Sequence, residues 1–126
     1  IAAKGSGTAC DKLTPLGADA LARLRREYPD APAGYLDFLA HVGFGAIGDD
    51  SFMLYGGLLA PSELYGQTPP ALQAVRLLGD DFAGYACGFD TANGWRIVEI
   101  DPTSHQPTEV ARDFGAFIRL RIAAAA

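Results

Sequence analysis

The sequence is poor in the residues from which most recognisable active sites are built. Its 126 residues include only two cysteines, two histidines, one tryptophan and one methionine. Two cysteines, Cys10 and Cys87, are too few for a disulfide framework, and we expect both to be reduced thiols. Two histidines at unrelated positions, with no Cys-x-x-Cys pair, do not form a recognisable zinc site. The sequence therefore predicts no metal and no cofactor.

Long hydrophobic runs and positive charge are also scarce. No apolar run approaches the roughly 20 residues that a membrane span needs, and the N-terminal stretch IAAKGSGTACDK lacks the apolar core of a signal peptide. Ten Lys and Arg residues stand against 15 Asp and Glu, a net charge of -5. Because phosphate backbones are bound by clustered cations, this charge disfavours nucleic acid and favours a basic protein partner. We expect a cytoplasmic protein that binds neither membrane nor nucleic acid directly.

What the sequence does contain is enough apolar residues for one hydrophobic core. Hydrophobic residues make up 49% of a chain whose length is typical of a single domain. The predicted order is helix, helix, strands, helix, which is typical of an α+β domain. We expect residues 13–122 to form this domain, between a flexible N-terminal arm at residues 1–12 and a C-terminal tail at residues 123–126.

Three helices are predicted from capping residues and hydrophobic spacing. The first follows Thr14-Pro15, with the threonine as N-cap, and the second covers residues 32–41 with Gly43 just beyond its end. The closing helix follows Asp113 as its N-cap. Its apolar face is expected to consist of Phe114, Phe117, Ile118, Arg121 and Ile122, with the arginine stem lying along the stripe.

The outer strands are predicted from β-favouring runs between glycines and prolines. Residues 51–55 are expected to form a strand, followed by a short helical turn at Pro61-Ser62-Glu63. Residues 71–78 fit either a helical turn or the start of a strand, and we favour a turn that leads into a strand. The segment DPTSHQPT is predicted to be a loop, because its two prolines are unsuited to a strand interior.

The central hairpin is predicted to turn at Asn93-Gly94, the dipeptide that best tolerates a type I′ turn. With these two residues as the loop, Phe89 lies opposite Val98 and shares a wholly apolar face with Tyr85. A four-residue loop would place Phe89 opposite Arg96 and mix polar and apolar groups on both faces, so the two-residue loop is preferred. An exposed edge of this hairpin would allow a weak homodimer; otherwise we expect a monomer.

Two acidic pairs, Asp49-Asp50 and Asp80-Asp81, adjoin the predicted strands. If their loops lie at the same end of the sheet, they form a negative rim together with Glu63; alternatively, each aspartate caps its own turn. Trp95 is predicted to point away from the face of Phe89, where it is either covered by helices or free to contact a partner. The candidate partner-binding residues are Asp49, Asp50, Glu63, Asp80, Asp81, Trp95 and Tyr55.

An enzyme hypothesis requires a catalytic set such as Cys87 with His41 or His105. Cys87 falls on the apolar face of the predicted hairpin, and a buried cysteine away from positive charge is inert. His41 stands at a predicted helix end and His105 in a polar loop. The sequence therefore predicts a non-enzymatic protein with no catalytic residues.

Four segments, taken in order, resemble one protein family. They are PAGYLDFLAHVGFG, then SFMLYG leading into LLAPSELYG, then LLGDDFAGYACGFDTANGWRIVEID, and finally RDFGAFIRLRI. In their order and residue types, over residues 16–122, they resemble the SUKH superfamily. That group includes the Smi/Knr-type cell-wall-synthesis regulators and many immunity proteins of bacterial polymorphic toxin systems.

The resemblance implies a single α+β domain with a mixed or antiparallel sheet, no chemistry of its own and a concave face that holds a partner protein. In the immunity members that partner is a toxin domain, often a nuclease or deaminase, whose site is blocked. The resemblance thus implies an immunity protein that neutralises a cognate toxin. The alternative is an intracellular regulatory or scaffolding module of the Smi/Knr type that binds a peptide or small ligand.

Overall fold

The computed structural model describes residues 9–125, and these form one α+β domain, as predicted. The helices are α1 (Ala18–Glu27), α2 (Ala33–His41), α3 (Pro61–Tyr65) and α4 (Phe114–Ala125). The strands are β1 (Gly45–Ile47), β2 (Phe52–Leu59), β3 (Val75–Asp80), β4 (Ala86–Asp90), β5 (Arg96–Ile100) and β6 (Pro107–Ala111). They form a single antiparallel sheet in chain order, β1 to β6. Among the described helices, none combines the length and hydrophobicity needed to cross a bilayer.

Both faces of the sheet bury a hydrophobic cluster. On one face, α1, α2 and α4 cover the larger cluster, where the fully buried Tyr35 packs its ring between those of Phe89 and Phe114. The opposite face holds a smaller cluster under the segment that contains α3 and a 3-10 turn at Pro70–Leu72. All five residues of β4 are buried; Cys87 and Phe89 belong to the larger cluster and Ala86 to the smaller one.

The N-terminal segment is tied to the end of α2, so α1 begins at Ala18 and not directly after Thr14. The backbones of Thr14 and Phe44 exchange two hydrogen bonds of 3.0 Å, and the Leu16 amide donates to the Leu39 carbonyl at 2.8 Å. This pairing holds the chain extended where the sequence predicts the first helical turn.

The two predicted terminal segments only partly lie within the described residues. Residues 1–8 of the predicted arm fall outside them. Residues 9–12 belong to the fold, where the full burial of Cys10 contradicts the expectation of a loose segment. At the other end, α4 continues through residues 123–125 of the predicted tail.

The register of the central hairpin differs from the predicted one. Phe89 lies opposite Ile97, and residues 91–95 form a five-residue loop, so the two-residue turn at Asn93-Gly94 is wrong. The physical reason is the nearly buried Asp90, whose carboxylate closes this loop. It accepts hydrogen bonds from the Asn93 side chain at 2.8 Å and from the Arg96 guanidinium at 3.2 Å. The predicted register was also chosen because it separates polar from apolar side chains. That criterion does not apply to this hairpin, since hydrophobic clusters lie on both faces of the sheet.

The sequence predicts neither of the two edge strands, β1 and β6. β6 begins at Pro107 inside the predicted loop, and a proline is tolerated there because it is the first residue of an edge strand. With β1 and β6 outside it, the β4–β5 hairpin is internal to the sheet. A homodimer through an exposed edge of that hairpin is therefore excluded.

Several further local predictions are confirmed, and the strand predicted at residues 51–55 continues to Leu59 as β2. A helical turn starts at Pro61, and a short turn leads into β3. Asp113 caps α4, since its carboxylate accepts a hydrogen bond from the Ala116 amide at 2.8 Å. The Arg121 guanidinium lies 4.7 Å from the centre of the Phe52 ring, with its stem along the apolar face.

Gly79 provides a test of the sheet packing. A Cβ atom at this position would clash with the Met53 carbonyl oxygen and lie 2.5 Å from the fully buried Phe52 ring. Gly79→Ala is expected to lower the free energy of unfolding by about 2–3 kcal/mol, because neither neighbour has room to move. Urea unfolding followed by tryptophan fluorescence measures this change.

Gly57→Ala is the matched control for that substitution. Gly57 lies on β2, and a Cβ atom there meets nothing within 4 Å. Its free energy of unfolding is expected to stay within about 0.5 kcal/mol of the wild type. An equal loss in the two variants would contradict the close packing of β2 against β3.

Candidate partner-binding surface

Three connections of the sheet meet at one of its ends. Asp80 lies opposite Met53 on one side and Ala86 on the other, and Ala86 lies opposite Ile100. The β1–β2 turn, the loop at residues 81–85 and the loop at residues 101–106 therefore share this end. The two acidic pairs, Asp49-Asp50 and Asp80-Asp81, thus lie at the same end of the sheet, as the predicted negative rim requires.

Asp80 links a strand, a loop and a tyrosine. The Tyr55 hydroxyl donates to one of its carboxylate oxygens at 2.6 Å, and the Phe82 amide donates to the other at 2.9 Å. Burial, and then the hydrogen bond to Asp80, raise the pKa of Tyr55. The Tyr55 side chain thus stays protonated and fixes the carboxylate in position.

Asp81 caps the loop that follows. One of its carboxylate oxygens accepts the amides of Ala83 at 2.8 Å and Tyr85 at 3.0 Å. Asp80 and Asp81 therefore both cap their own turn, as the alternative interpretation of this acidic pair predicts. Their negative charge remains at the surface, since both residues are partly exposed.

A groove of about 440 Å³ lies beside this loop. We call it the sheet-end groove, and it is lined by Leu64, Tyr65, Asp80, Phe82, Gly84 and Ala86. Four large apolar side chains are exposed within residues 9–125, and three of them, Leu64, Phe82 and Tyr85, belong to the groove or its loop. Exposed apolar surface with a polar rim is typical of a protein interaction site.

Phe82 is held in a backbone conformation that aromatic residues rarely adopt. Its φ is 64°, in the left-handed region, and its side chain is 47% exposed. The amide hydrogen bond to Asp80 maintains this conformation. Since a strained and exposed aromatic residue costs folding free energy, such residues are typical of functional sites.

One wall of the sheet-end groove is formed by Leu64 and Tyr65 of α3, and the loop at residues 101–106 packs against this helix. The Tyr65 and His105 rings are 4.6 Å apart, and burial raises the pKa of Tyr65. Backbone hydrogen bonds from Ser104 and Thr103 lower the pKa of Asp101, so this carboxylate adds a further negative charge at the same end. The predicted rim is thus extended by an aspartate that the sequence analysis did not select.

Two of the predicted acidic residues are engaged elsewhere or only loosely held. The Glu63 carboxylate accepts the Ala60 amide at 2.7 Å and so caps the start of α3. Asp49 pairs with Lys12 at 3.6 Å, but both side chains are largely exposed, and such pairs contribute little to stability.

Trp95 lies at the opposite end of the sheet, in the loop at residues 91–95. Its ring centre is 5.4 Å from that of Phe89 and 6.4 Å from that of Tyr28. The prediction that it points away from the face of Phe89 is wrong, because the five-residue loop turns the chain back over that face. The Tyr28 ring, just after α1, packs edge-on against it and Trp95 is partly buried, so it takes no part in the sheet-end groove.

Besides Asp101, the sequence did not single out the large groove residues Leu64, Tyr65 and Phe82. Tyr85 was noticed but placed on the apolar face of the hairpin, whereas it precedes β4 and is exposed. The available signal was the FAGY stretch, in which two aromatic residues stand in a Gly-containing turn after an acidic pair. Aromatic side chains in a turn stay exposed unless another segment of the chain packs over them.

Cys87, the candidate nucleophile of the enzyme hypothesis, is part of the larger hydrophobic cluster. Cys87 is fully buried, and burial raises the pKa of its thiol to about 12 although the Arg121 guanidinium lies 4.0 Å from its sulfur. His41 is exposed at the end of α2, and the His105 ring is tilted against that of Tyr65. Cys87 and Cys10 are not bridged to each other. Within the described part of the chain, no three His, Cys, Asp or Glu side chains are grouped so as to hold a metal ion.

The strain at Phe82 can be measured by two substitutions that remove the same ring. Phe82→Gly is expected to be about 1 kcal/mol more stable to urea than Phe82→Ala, because only glycine adopts a φ near 64° without steric cost. The comparison is independent of the ring, which both variants lack. An alanine variant as stable as the glycine variant would show that the backbone is not strained there.

No protein-family model, curated protein or solved structure matches this sequence.

Proposed function

We propose that this chain is a non-enzymatic protein-binding domain that holds its partner at the sheet-end groove. We further propose that the partner is a toxin domain, which the chain neutralises in the manner of the SUKH immunity proteins that its sequence resembles. The observation that carries the proposal is the concentration of Leu64, Phe82 and Tyr85 beside the carboxylates of Asp80 and Asp81.

A protein partner suits this surface better than a small ligand. The sheet-end groove opens between loops, and its apolar side chains are exposed rather than enclosed, which is typical of interfaces between proteins. The alternative, a regulatory module of the Smi/Knr type, would bind its peptide or small ligand in a deep pocket, for which Trp95 and Tyr85 are the candidate aromatic lining. These two residues lie at opposite ends of β4, so they do not line one pocket.

The charge of the surface favours a basic partner. Asp80, Asp81 and Asp101 are grouped at this end of the sheet, and the chain as a whole carries a net charge of -5. Complementary charge accelerates association and disfavours wrong partners. In a nuclease toxin, the cations that bind phosphate would be the groups these carboxylates meet. Such a partner would be met in the cytoplasm, where Cys10 and Cys87 stay reduced.

The partner can be sought among the basic proteins encoded by genes next to this one. Each is co-expressed with the chain, and cell growth and the partner's enzymatic activity are measured with and without it. We expect one of them to be toxic alone, to form a stable complex with the chain and to lose its activity in that complex. If no neighbouring product is toxic and neutralised, the immunity function is wrong.

Three variants then test the site itself. Phe82→Gly removes the aromatic ring without adding strain, and it is expected to weaken binding about tenfold to a hundredfold. Asp81→Asn keeps an oxygen that can accept the Ala83 and Tyr85 amides but removes the charge, so it is expected to slow association and reduce its salt dependence. Titration calorimetry and stopped-flow fluorescence measure the two effects.

Leu120→Ala is the matched control for the site. Leu120 is also a large exposed apolar residue, but it lies on α4 and not in the sheet-end groove. Its removal is expected to leave partner affinity unchanged. Unchanged affinity in Phe82→Gly and Asp81→Asn would place the interface on another surface, even if the immunity function itself held.

A further inference from the structure

Asp80 differs from the other carboxylates of the sheet. The strands carry four acidic residues, which are Asp80, Asp90, Glu99 and Glu109. Arg96 pairs with Asp90 at 3.2 Å and with Glu109 at 3.1 Å. Arg121 pairs with Glu99 at 3.6 Å. Asp80 takes part in none of the ion pairs formed within residues 9–125, so it is the strand carboxylate that has no arginine there.

The Asp80 carboxylate is held in place but can still accept hydrogen bonds. One of its oxygens accepts the Tyr55 hydroxyl and the other accepts the Phe82 amide. An ionised carboxylate offers about four lone-pair sites, so each oxygen retains the capacity for one more hydrogen bond. Two neighbouring acceptors match the paired N–H groups of a guanidinium, which often binds a carboxylate through both oxygens.

Aromatic side chains from two segments line the sheet-end groove together with this carboxylate. Phe82 comes from the loop at residues 81–85, and Tyr65 comes from α3. Because the Tyr65 hydroxyl oxygen is buried, this residue contributes its ring to the lining. None of the six lining residues, all of which lie in the described part of the chain, is a lysine or arginine. Aromatic faces attract cations, and arginine is the residue most often found on them.

The same chain contains an arginine in such surroundings. The Arg121 guanidinium lies 4.7 Å from the centre of the Phe52 ring and 5.6 Å from that of Phe117, and it also pairs with Glu99. Two rings and a carboxylate thus surround one guanidinium. The sheet-end groove has two rings and a carboxylate, but its lining supplies no cation.

We propose that the sheet-end groove binds an arginine side chain of the partner protein. The guanidinium pairs with the Asp80 carboxylate and lies against the aromatic surface of Phe82 and Tyr65. A lysine fits less well, because its ammonium is more strongly hydrated and lacks the planar pair of donors. The inference rests on the proposed function, since it names the residue with which the partner enters the groove. It can nevertheless be tested without the partner.

Three capped tripeptides serve as probes, with arginine, lysine or citrulline between two alanines. Each is titrated into the isotope-labelled full chain at about 0.15 M salt, where distant charges are screened, and the amide signals are followed by NMR. The arginine peptide is expected to shift the signals of residues 80–86 and of α3, with a dissociation constant of about 1 mM. The lysine peptide is expected to bind at least about threefold more weakly. Citrulline has nearly the shape of arginine without its charge, and its peptide is expected not to bind.

Two variants and two matched controls assign the binding to the groove. Asp80→Asn is expected to weaken the arginine peptide about tenfold, and Phe82→Gly, which removes the ring, about fivefold. Because Asp80→Asn also alters the hydrogen bonds of its loop, Phe82→Gly provides the independent test. Asp37→Asn and Leu120→Ala remove an exposed charge on α2 and an exposed apolar side chain on α4, and both are expected to leave peptide binding unchanged.

The arginine proposal and the immunity function can fail separately. Arginine-selective binding in the groove would support the proposal even if no neighbouring gene product were toxic and neutralised. Absence of saturable shifts at residues 80–86 would overturn it, although a neutralised toxin would leave the immunity function intact. Equal binding of the citrulline peptide, or undiminished binding to Phe82→Gly, would also overturn it.

Discussion

Burial of the central strands on both faces is the constraint on which this structure depends. β4 has no residue that remains at the surface, and its neighbours alternate between two hydrophobic clusters. Each cluster must be covered, because an isolated hairpin cannot exclude water from its side chains. Three helices cover one face, while the other is covered only by the short segment around α3. The smaller cover leaves the sheet-end groove open at the point where α3 meets the loops.

The acidic pair at that groove shows how one residue serves folding and recognition together. The carboxylates of Asp80 and Asp81 accept the amides that hold their loop in shape. Because the loop is held by these bonds, Phe82 stays in a strained conformation with its ring in solvent. The same carboxylates supply negative charge next to the exposed ring. A surface that is both charged and apolar, with its loop fixed in advance, loses little conformational entropy when it binds.

The two faces of the sheet differ in the surface that they offer. The sheet-end groove is bordered by aspartates and has the exposed side chains of Leu64 and Phe82 beside them. On the helix-covered face, the depression between α2 and α4 has a floor of buried residues, Phe38, Phe114 and Ile118.

The sequence by itself determined the elements whose signals are local. Asp113 as a helix cap, the proline-led turn at Pro61 and the α+β order all follow from residues within one turn or strand of each other. The edge strand at Pro107 and the position of Trp95 depended on contacts distant in sequence, whereas the hairpin register depended on the Asp90 carboxylate and on the burial of both faces of the sheet. Asp90 closes the five-residue loop through its hydrogen bond to Arg96. Because both faces of the sheet are buried, the hairpin has no solvent-exposed polar face from which its register could be judged. Only the tertiary structure brought Leu64 of α3 beside Phe82, because the groove is made by chain segments that no local pattern connects.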